Sequence, residues 1–531
     1  MKTTNTKNKN SLFSFVLAHL TTKKVYDGTT LPDIPDQTYA WGNDDAELFS
    51  PDLSEESLQI AEEINHLLQA WINIPSLDNK RRLYDKVRQT PIILIYKRMA
   101  ELLHGQKLPF EILKLAEEWL YNASDREVLK FVYLLCGAIG LEQVRKLYSQ
   151  KLYDDLFTLA LCEEFTIFLC LACHYNKLRP QKKMWYIVRR TSGWGKAISL
   201  ALLDFKTDKQ QLWLLNHGLD LRIFWPPLAP LIITESNLAK RLKTKTCTLD
   251  FYRQCSRVII QHLLFLVPYD GIPEYKFGSF RASNSQFTFN LQEILENFLR
   301  LAKKHATIPE RVLSIMTVKD RLEDIILSES WNILSPNVCN HLIGKCDLII
   351  YAKDWHPVIK KELHRSNGSL NSDVAELAAG INIDVWDEVF AFLQKHPLDP
   401  FALTFCFHAY PEGTHNPPNM PTITPARVRQ LMKFIVQNER LFMNNEEALL
   451  YVLTFIQEHP GQGEGIIILA LTSISDYPRG LAALALSRWT KKQITPAIRL
   501  ALIEALHLNN NNFINVLLNS LLSEDHLDDF N

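Results

Sequence analysis

LSEESLQIAEEINHLLQAWIN, residues 53–73, decides the fold. Leu58, Ala61, Ile64, Leu68 and Trp71 recur every three or four positions, with polar residues between them. That spacing draws one apolar stripe along an amphipathic helix. The same period returns after each short break. A helix is expected from Pro91 to His104, with Gly105 placed to take the left-handed conformation behind it. Ser124-Asp-Arg-Glu127 has the form of a capping box. The helix it opens should run to Gly140, where another begins. The pattern persists past residue 500 in units of about 10–20 residues with short connections.

Strand-like segments are nearly missing; Gln286-Phe-Thr-Phe-Asn290 is the best candidate. Short connections force neighbouring helices to lie antiparallel. The expected class is therefore all-α. Its architecture should be an α-solenoid of antiparallel helix pairs, an armadillo/HEAT-like superhelix with degenerate units of about 40–47 residues. The organisation reads as an irregular N-terminal arm (1–50), helical repeats (51–267), a loop insertion (268–290), further helical repeats (291–522) and an acidic tail (523–531). A second long irregular stretch runs from Tyr410 to Pro425.

At 531 residues the chain exceeds a single core, so it should divide or extend as an array. Only 18 glycines argue against an all-β chain with many tight turns. The net charge of −1 hides an asymmetry: between Lys177 and Arg257 there are 16 Lys/Arg against 5 Asp/Glu. A solvated basic face explains this, and an anionic partner is the alternative. The nine cysteines are unpaired in pattern and several lie in apolar runs, as suits a reducing cytoplasm. The apolar run Leu12–Leu20 is too short for a secretory segment and precedes Thr-Thr-Lys-Lys rather than a cleavage site. The longest apolar stretch, Leu156–Tyr175, is interrupted by Glu163 and Glu164 and reads as a buried helix, not a membrane span. The expected location is cytoplasmic, with no membrane partner.

Several motifs imitate chemistry. Cys170-Leu-Ala-Cys173-His174 has the spacing of c-type haem attachment, but its cysteines sit inside an apolar helix and no second ligand pair supports zinc. Glu-x-x-His occurs at Glu63/His66, Glu101/His104 and Glu504/His507. At 100° per residue each pair falls off the apolar stripe, so none should face a di-iron core. Gly461-Gln-Gly463-Glu-Gly465 follows a helical pattern rather than a strand, so an interhelical turn is expected instead of a phosphate loop. His526-Leu-Asp528 lies in the acidic tail without a third ligand. No catalytic residue, cofactor site or metal site is expected.

The basic stretch RPQKKMWYIVRRTSGWGK, 179–196, interleaves Trp185, Tyr186 and Trp194 with Lys182, Lys183, Arg189 and Arg190. Such interleaving can grip phosphates and stack bases. A helix with aromatic core contacts and a basic outer face is the plainer reading. Candidate partner-binding residues are Trp185, Arg189, Arg190, Trp194 and Lys196, with Tyr275, Phe277 and Arg281 in the 268–290 loop.

RRTSGWGKAISLALLDF followed by QQLWLLNHG resembles a bacterial family of armadillo/HEAT-like proteins commonly labelled limonene hydroxylase. The matching positions are Arg190, Gly193, Trp194, Gly195, Trp213, Leu214, Leu215 and Gly218. The resemblance resumes at Pro460, Gly461, Gly463 and Glu464 and in LAALALSRW, ending at Trp489, and covers roughly residues 180–520 with gaps. Lys196 stands where the family has arginine, and Tyr477-Pro-Arg-Gly480 replaces an arginine-asparagine phrase. The resemblance implies a helical-repeat fold and places no catalytic residue. Three functions follow as expectations: a non-catalytic scaffold binding a protein partner along its concave surface, a hydroxylase or monooxygenase as the label implies, or nucleic-acid binding through residues 179–257.

Overall fold

Among the described residues every regular element is helical, and the two isolated β-bridges, Leu20–Tyr26 and His364–Leu370, are the sole strand pairing. The structure is a computed structural model describing residues 11–33, 42, 45, 54–104, 108–244, 247–267, 289–330, 332–408, 423–490, 492–508 and 512–523. No described helix is long and apolar enough to cross a membrane. The chain divides into two compact units, residues 1–266 with 273–301, and residues 267–272 with 302–531.

Unit one begins with α1 (Leu12–Ala18), α2 (Glu55–Asn73), α3 (Leu77–Arg88), α4 (Ile92–Leu103), α5 (Glu111–Asn122) and α6 (Arg126–Ile139). A helical turn, Leu141–Gln143, then runs into a π-helix, Val144–Tyr148. There follow α7 (Gln150–Leu159), α8 (Glu163–Tyr175), α9 (Gln181–Val188), α10 (Trp194–Ala201), α11 (Asp208–His217) and α12 (Leu228–Glu235). The short α13 (Leu238–Leu242), then α14 (Leu249–Leu266) and α15 (Leu291–His305, in this unit as far as Leu301), complete it.

The stripe of residues 53–73 is buried as α2: Ala61, Ile64, Leu68 and Trp71 face inward, and the Ser54 hydroxyl accepts from the Ser57 N–H at the helix start. Helices α2, α4, α6, α8 and α10 form a row in which each packs on the next member. The intervening α3, α5, α7 and α9 pack against this row. Row members begin 31 to 37 residues apart, a shorter period than the units of about 40–47 residues expected for HEAT or armadillo arrays. Gly140 separates two helices at φ +106°, as expected of a glycine stop.

Two expectations are corrected here. The N-terminal arm is not irregular throughout, because Ser11 caps α1 and Leu12, Phe13 and Val16 are buried. Phe13 meets Tyr121 edge-on at 5.5 Å, so the apolar run ending at Leu20 serves as a packed helix of this unit. The capping box at Ser124 does not form either. Asp125 precedes α6 without a side-chain cap, and Glu127 turns instead to the Ile92 N–H at 2.7 Å and to Lys130. A capping box does form between Thr207 and Gln210, at the start of α11.

Unit two comprises α16 (Pro309–Leu327), α17 (Pro336–Ile350), α18 (His356–Glu362), α19 (Ser372–Gly380), α20 (Trp386–Lys395), α21 (Pro400–Phe407), α22 (Pro425–Met443), α23 (Glu446–Gln457), α24 (Glu464–Leu471), α25 (Asp476–Leu486), α26 (Pro496–Leu508) and α27 (Asn512–Leu522). Next-but-one packing recurs: α21, α23, α25 and α27 form one series and α22, α24 and α26 another. Aromatic rings fill its centre. Trp386 is fully buried and stacks on Phe390 at 4.8 Å, and Phe407 meets Phe455 at 5.0 Å. Each such burial contributes about 1.5–3 kcal/mol. Gly461 and Gly463 lie in the interhelical turn before α24, at φ +82° and φ +73°, and Gly465 falls inside that helix. A side chain at Gly463 would also stand 2.6 Å from Ile456 Cδ1.

The strand candidate 286–290 lies outside the described residues except for Phe289 and Asn290, neither of which is in a strand. The loops 268–290 and 410–425 and the tail 523–531 also fall largely outside them.

Candidate functional site

The Arg-Thr-Ser-Gly-Trp-Gly-Lys turn leads into α10, whose first amides have no partner within the helix. Glu163, the first residue of α8, supplies one. Its carboxylate accepts from the Ser192 N–H at 2.7 Å, from the Gly193 N–H at 2.7 and 3.0 Å, and from the Gly195 N–H at 3.0 Å. An anion thus sits in a nest of amides at the positive end of a helix. A side chain at either glycine would force its neighbours to shift. A Cβ at Gly193 would lie 2.7 Å from Glu163 Oε2, and one at Gly195 would lie 2.7 Å from Thr166 Oγ1.

This turn and the end of α9 before it carry five of the sequence-predicted partner residues, and the structure divides them. Trp194 points inward, 7% exposed, with its ring 4.5 Å from Trp225. Lys196 is 6% exposed, donates to the Asp220 carbonyl at 2.9 Å and lies 5.8 Å from the Trp213 ring. Burial lowers its pKa against the opposing charges of Asp220 and Glu163. Trp185 is buried between Trp213, at 4.9 Å, and Phe205, at 5.6 Å. These three side chains are therefore committed to internal contacts. Arg190 is half-buried over the Tyr186 ring at 4.0 Å, and its Nε donates to the Lys23 carbonyl of the arm. Arg189 alone of the five is exposed, with its guanidinium 5.4 Å from the Trp185 ring centre. Tyr275, Phe277 and Arg281 lie outside the described residues.

The basic region 179–257 is laced with ion pairs. Arg179 pairs with Asp204, Lys183 with Asp154, Arg241 with Asp208, Lys243 with Glu293 and Arg257 with Asp220. Two of these carboxylates, Asp154 and Glu293, come from outside the region, so the local excess of positive charge is partly neutralised in three dimensions.

A second constellation was not anticipated from sequence. Lys130, in the middle of α6, is 1% exposed. Its ammonium lies 2.7 Å from Asp45, 2.8 Å from Glu127 and 2.8 Å from Glu164. Arg126 approaches Glu164 at 3.3 Å, and its N–H donates to Asp33 at 2.9 Å; the Gly42 N–H donates to Glu164 at 3.1 Å. Burial alone would lower the Lys130 pKa, but the charges of Glu164, Asp45 and Glu127 raise it. Asp45 is pushed up to about 7 by burial and by repulsion from Glu164 and Glu127, against the pull of Lys130. Glu164 is lowered: its burial is outweighed by Lys130 and Arg126 and by the Gly42 amide. The sequence signal was present in two interruptions, one lysine in EVLKFVYLLCG and the paired glutamates in the next apolar run. The partners at 33 and 45 carry no such mark.

The motifs that imitate chemistry are dispersed. Cys170 and Cys173 are fully buried, whereas His174 is exposed. The Cys170 sulfur is 3.7 Å from Ser199 Oγ, and burial pushes its thiol up to about 12. All three Glu-x-x-His pairs are exposed, and Glu63 forms an ion pair with Lys86. Among the described residues no group of three His, Cys, Asp or Glu side chains is arranged to hold a metal ion. His526 and Asp528 lie outside them. Arg479, in the phrase that departs from the resembled family, is 1% exposed and binds the Ile474 carbonyl at 3.0 Å and the Asp476 carboxylate.

Comparison of the chain with protein-family models, with curated proteins and with solved structures finds no match.

Proposed function

We propose that this chain is a non-catalytic interaction scaffold, an α-solenoid of antiparallel helix pairs that binds a protein partner along one surface. The observation supporting this reading is the apolar exterior of the last four helices. Ile474 is 96% exposed, Val516 70%, Leu500 68%, Leu484 45%, Ile503 43% and Leu469 40%. Every helix from α24 to α27 carries at least one of these side chains or, for Ile474, leads directly into the next helix. Scattered apolar residues are ordinary on a protein surface, but their concentration on consecutive packed helices is the pattern of a surface that meets another protein. Arg189, exposed over Trp185, adds an arginine–aromatic anchor of the kind that dominates such interfaces. The resemblance to an armadillo/HEAT-like family agrees with the scaffold role.

The test is affinity capture with wild-type chain, with Ile474→Asp/Leu500→Asp and with Arg189→Glu, each checked for unchanged circular dichroism. A recurrent partner held by the wild type should be lost from the double variant by about tenfold or more in yield. Retention of every captured protein by both variants would refute the reading.

A further inference from the structure

Some cations of residues 179–257 end in the ion pairs described above, and others do not. On α9, Lys182, Tyr186 and Arg190 are spaced four apart, so they share one face of the helix, which Arg190 extends past its last turn. Arg190 Nη1 donates to the Tyr186 carbonyl at 3.1 Å, and its Nε donates to the Lys23 carbonyl at 3.1 Å. That second bond joins the helix to a hairpin of the arm. The Leu20–Tyr26 bridge closes the hairpin and the Lys24 N–H donates to the Thr21 carbonyl at 2.8 Å, which leaves Lys23 and Lys24 exposed at its tip. Lys24 stands at φ +59°, a left-handed conformation that glycine or asparagine adopts at lower cost.

A third segment borders the same helix end. The Arg222 N–H donates to the Ser192 carbonyl at 2.6 Å, and Trp225 packs on Trp194 at 4.5 Å. Trp225 is buried and Ile223 half-buried, whereas Arg222 and Phe224 are exposed, the phenylalanine by 50%. Among the described residues Lys23, Lys24, Lys182, Arg190 and Arg222 form no ion pair. Segments 20–27, 181–192 and 219–225 carry two carboxylates, Asp27 and Asp220. Both are engaged, Asp27 by His19 and Thr29 and Asp220 by His217 and Arg257.

We propose that these three segments form a track for single-stranded nucleic acid. Lys182, Arg190, Lys23, Lys24 and Arg222 meet phosphates, and the exposed ring of Phe224 stacks on a base. Like charges brought together without counterions repel, and a polyanion relieves that repulsion. A bilayer is disfavoured because one exposed ring is too little apolar surface to enter it. An acidic peptide is disfavoured because its carboxylates bring no flat ring to Phe224. The track lies in unit one and the apolar scaffold surface in unit two, so the two readings stand or fall separately.

Fluorescence anisotropy of a labelled thymidine oligomer of about 20 nucleotides tests it on the full chain at about 50 mM salt. Binding should show a Kd of about 10 μM or tighter and a log–log salt slope of about −3. Lys23→Glu/Lys24→Glu, and separately Lys182→Glu, should weaken it, the double variant by about tenfold or more, and make the slope shallower. Phe224→Ala should weaken it by about fivefold or more with the slope unchanged. Lys360→Glu/Lys361→Glu, a charge-matched pair on α18, and Ile474→Asp/Leu500→Asp should each leave it within about twofold. Each variant is checked for unchanged circular dichroism. No binding at about 100 μM chain, displacement of the oligomer by polyglutamate or phosphatidylserine vesicles at equal charge, or equal loss in the α18 pair would each overturn the proposal.

Discussion

Lys130 Nζ and the Asp45 carboxylate meet at 2.7 Å, with the two side chains 2% and 4% exposed. One belongs to α6 and the other to the N-terminal arm, so a buried ion pair ties that arm to the helical row. Desolvating such charges is expensive, and the pair persists because Glu127 and Glu164 share the ammonium.

Removing the cation should therefore be severe. Lys130→Met leaves the buried carboxylates of Asp45 and Glu164 and the half-buried one of Glu127 facing one another, and is expected to destabilise unit one by about 3–5 kcal/mol. Urea denaturation at neutral pH measures this. The loss should shrink as the pH is lowered and the carboxylates take up protons; a loss independent of pH would contradict the account.

The arm should respond to pH in the opposite sense to ordinary acid unfolding. Asp45 titrates near 7 when docked, against 3.8 when free. Docking therefore binds a proton, so its contribution is fully present below about 4 and is lost as the pH rises through about 7. Asp33, also raised by burial, adds the same sign. Glu164, lowered in the fold, adds the reverse sign only in the acid range below its ordinary 4.5. Hydrogen exchange of α1, corrected for intrinsic rates, should quicken from pH 5 to pH 8, and Asp45→Asn should flatten that dependence.

Gly193→Ala should cost about 1–3 kcal/mol, because its Cβ would press on Glu163 Oε2 at 2.7 Å. Glu163→Ala should cost a similar amount by uncovering the amides before α10. The two share one contact, so their effects should be non-additive. A thermodynamic cycle by thermal unfolding that returns simple additivity would rule out the contact as drawn.

Thiol reagents should separate one cysteine from eight. Cys247 is half-buried and the other eight are buried, with Cys136, Cys170 and Cys346 each pushed up to about 12 by desolvation. A native chain treated with an aromatic disulfide at pH 8 should release about one equivalent quickly and the rest only on unfolding. Rapid reaction of Cys170 or Cys173, read by peptide mapping, would show that the Cys-x-x-Cys-His segment opens.

The helices were legible because burial imposes a period. Leu68 and Trp71 mark α2 in the sequence as plainly as they do in three dimensions. The turn glycines at 140, 461 and 463 were legible for the same reason, since few residues tolerate their backbone. The site was not. Trp185, Trp194 and Lys196 have the composition of surface anchors, yet all three are buried, because aromatic rings and a long aliphatic stem fill space between helices as readily as they stack on a ligand. Lys130 with Asp45, and Glu163 with Gly193, pair positions 85 and 30 apart in the chain, and no local rule connects them.

The bond between Glu163 and the Gly-Trp-Gly turn also bears on how descendants of this gene can diverge. An alanine at Gly193 costs less once the acid thirty positions upstream has gone, and losing that acid costs less once something else quiets the amides before α10. These positions should covary as a unit. Ancestry is then better traced by that coupled pair than by tryptophan, whose inward packing many chains reach independently.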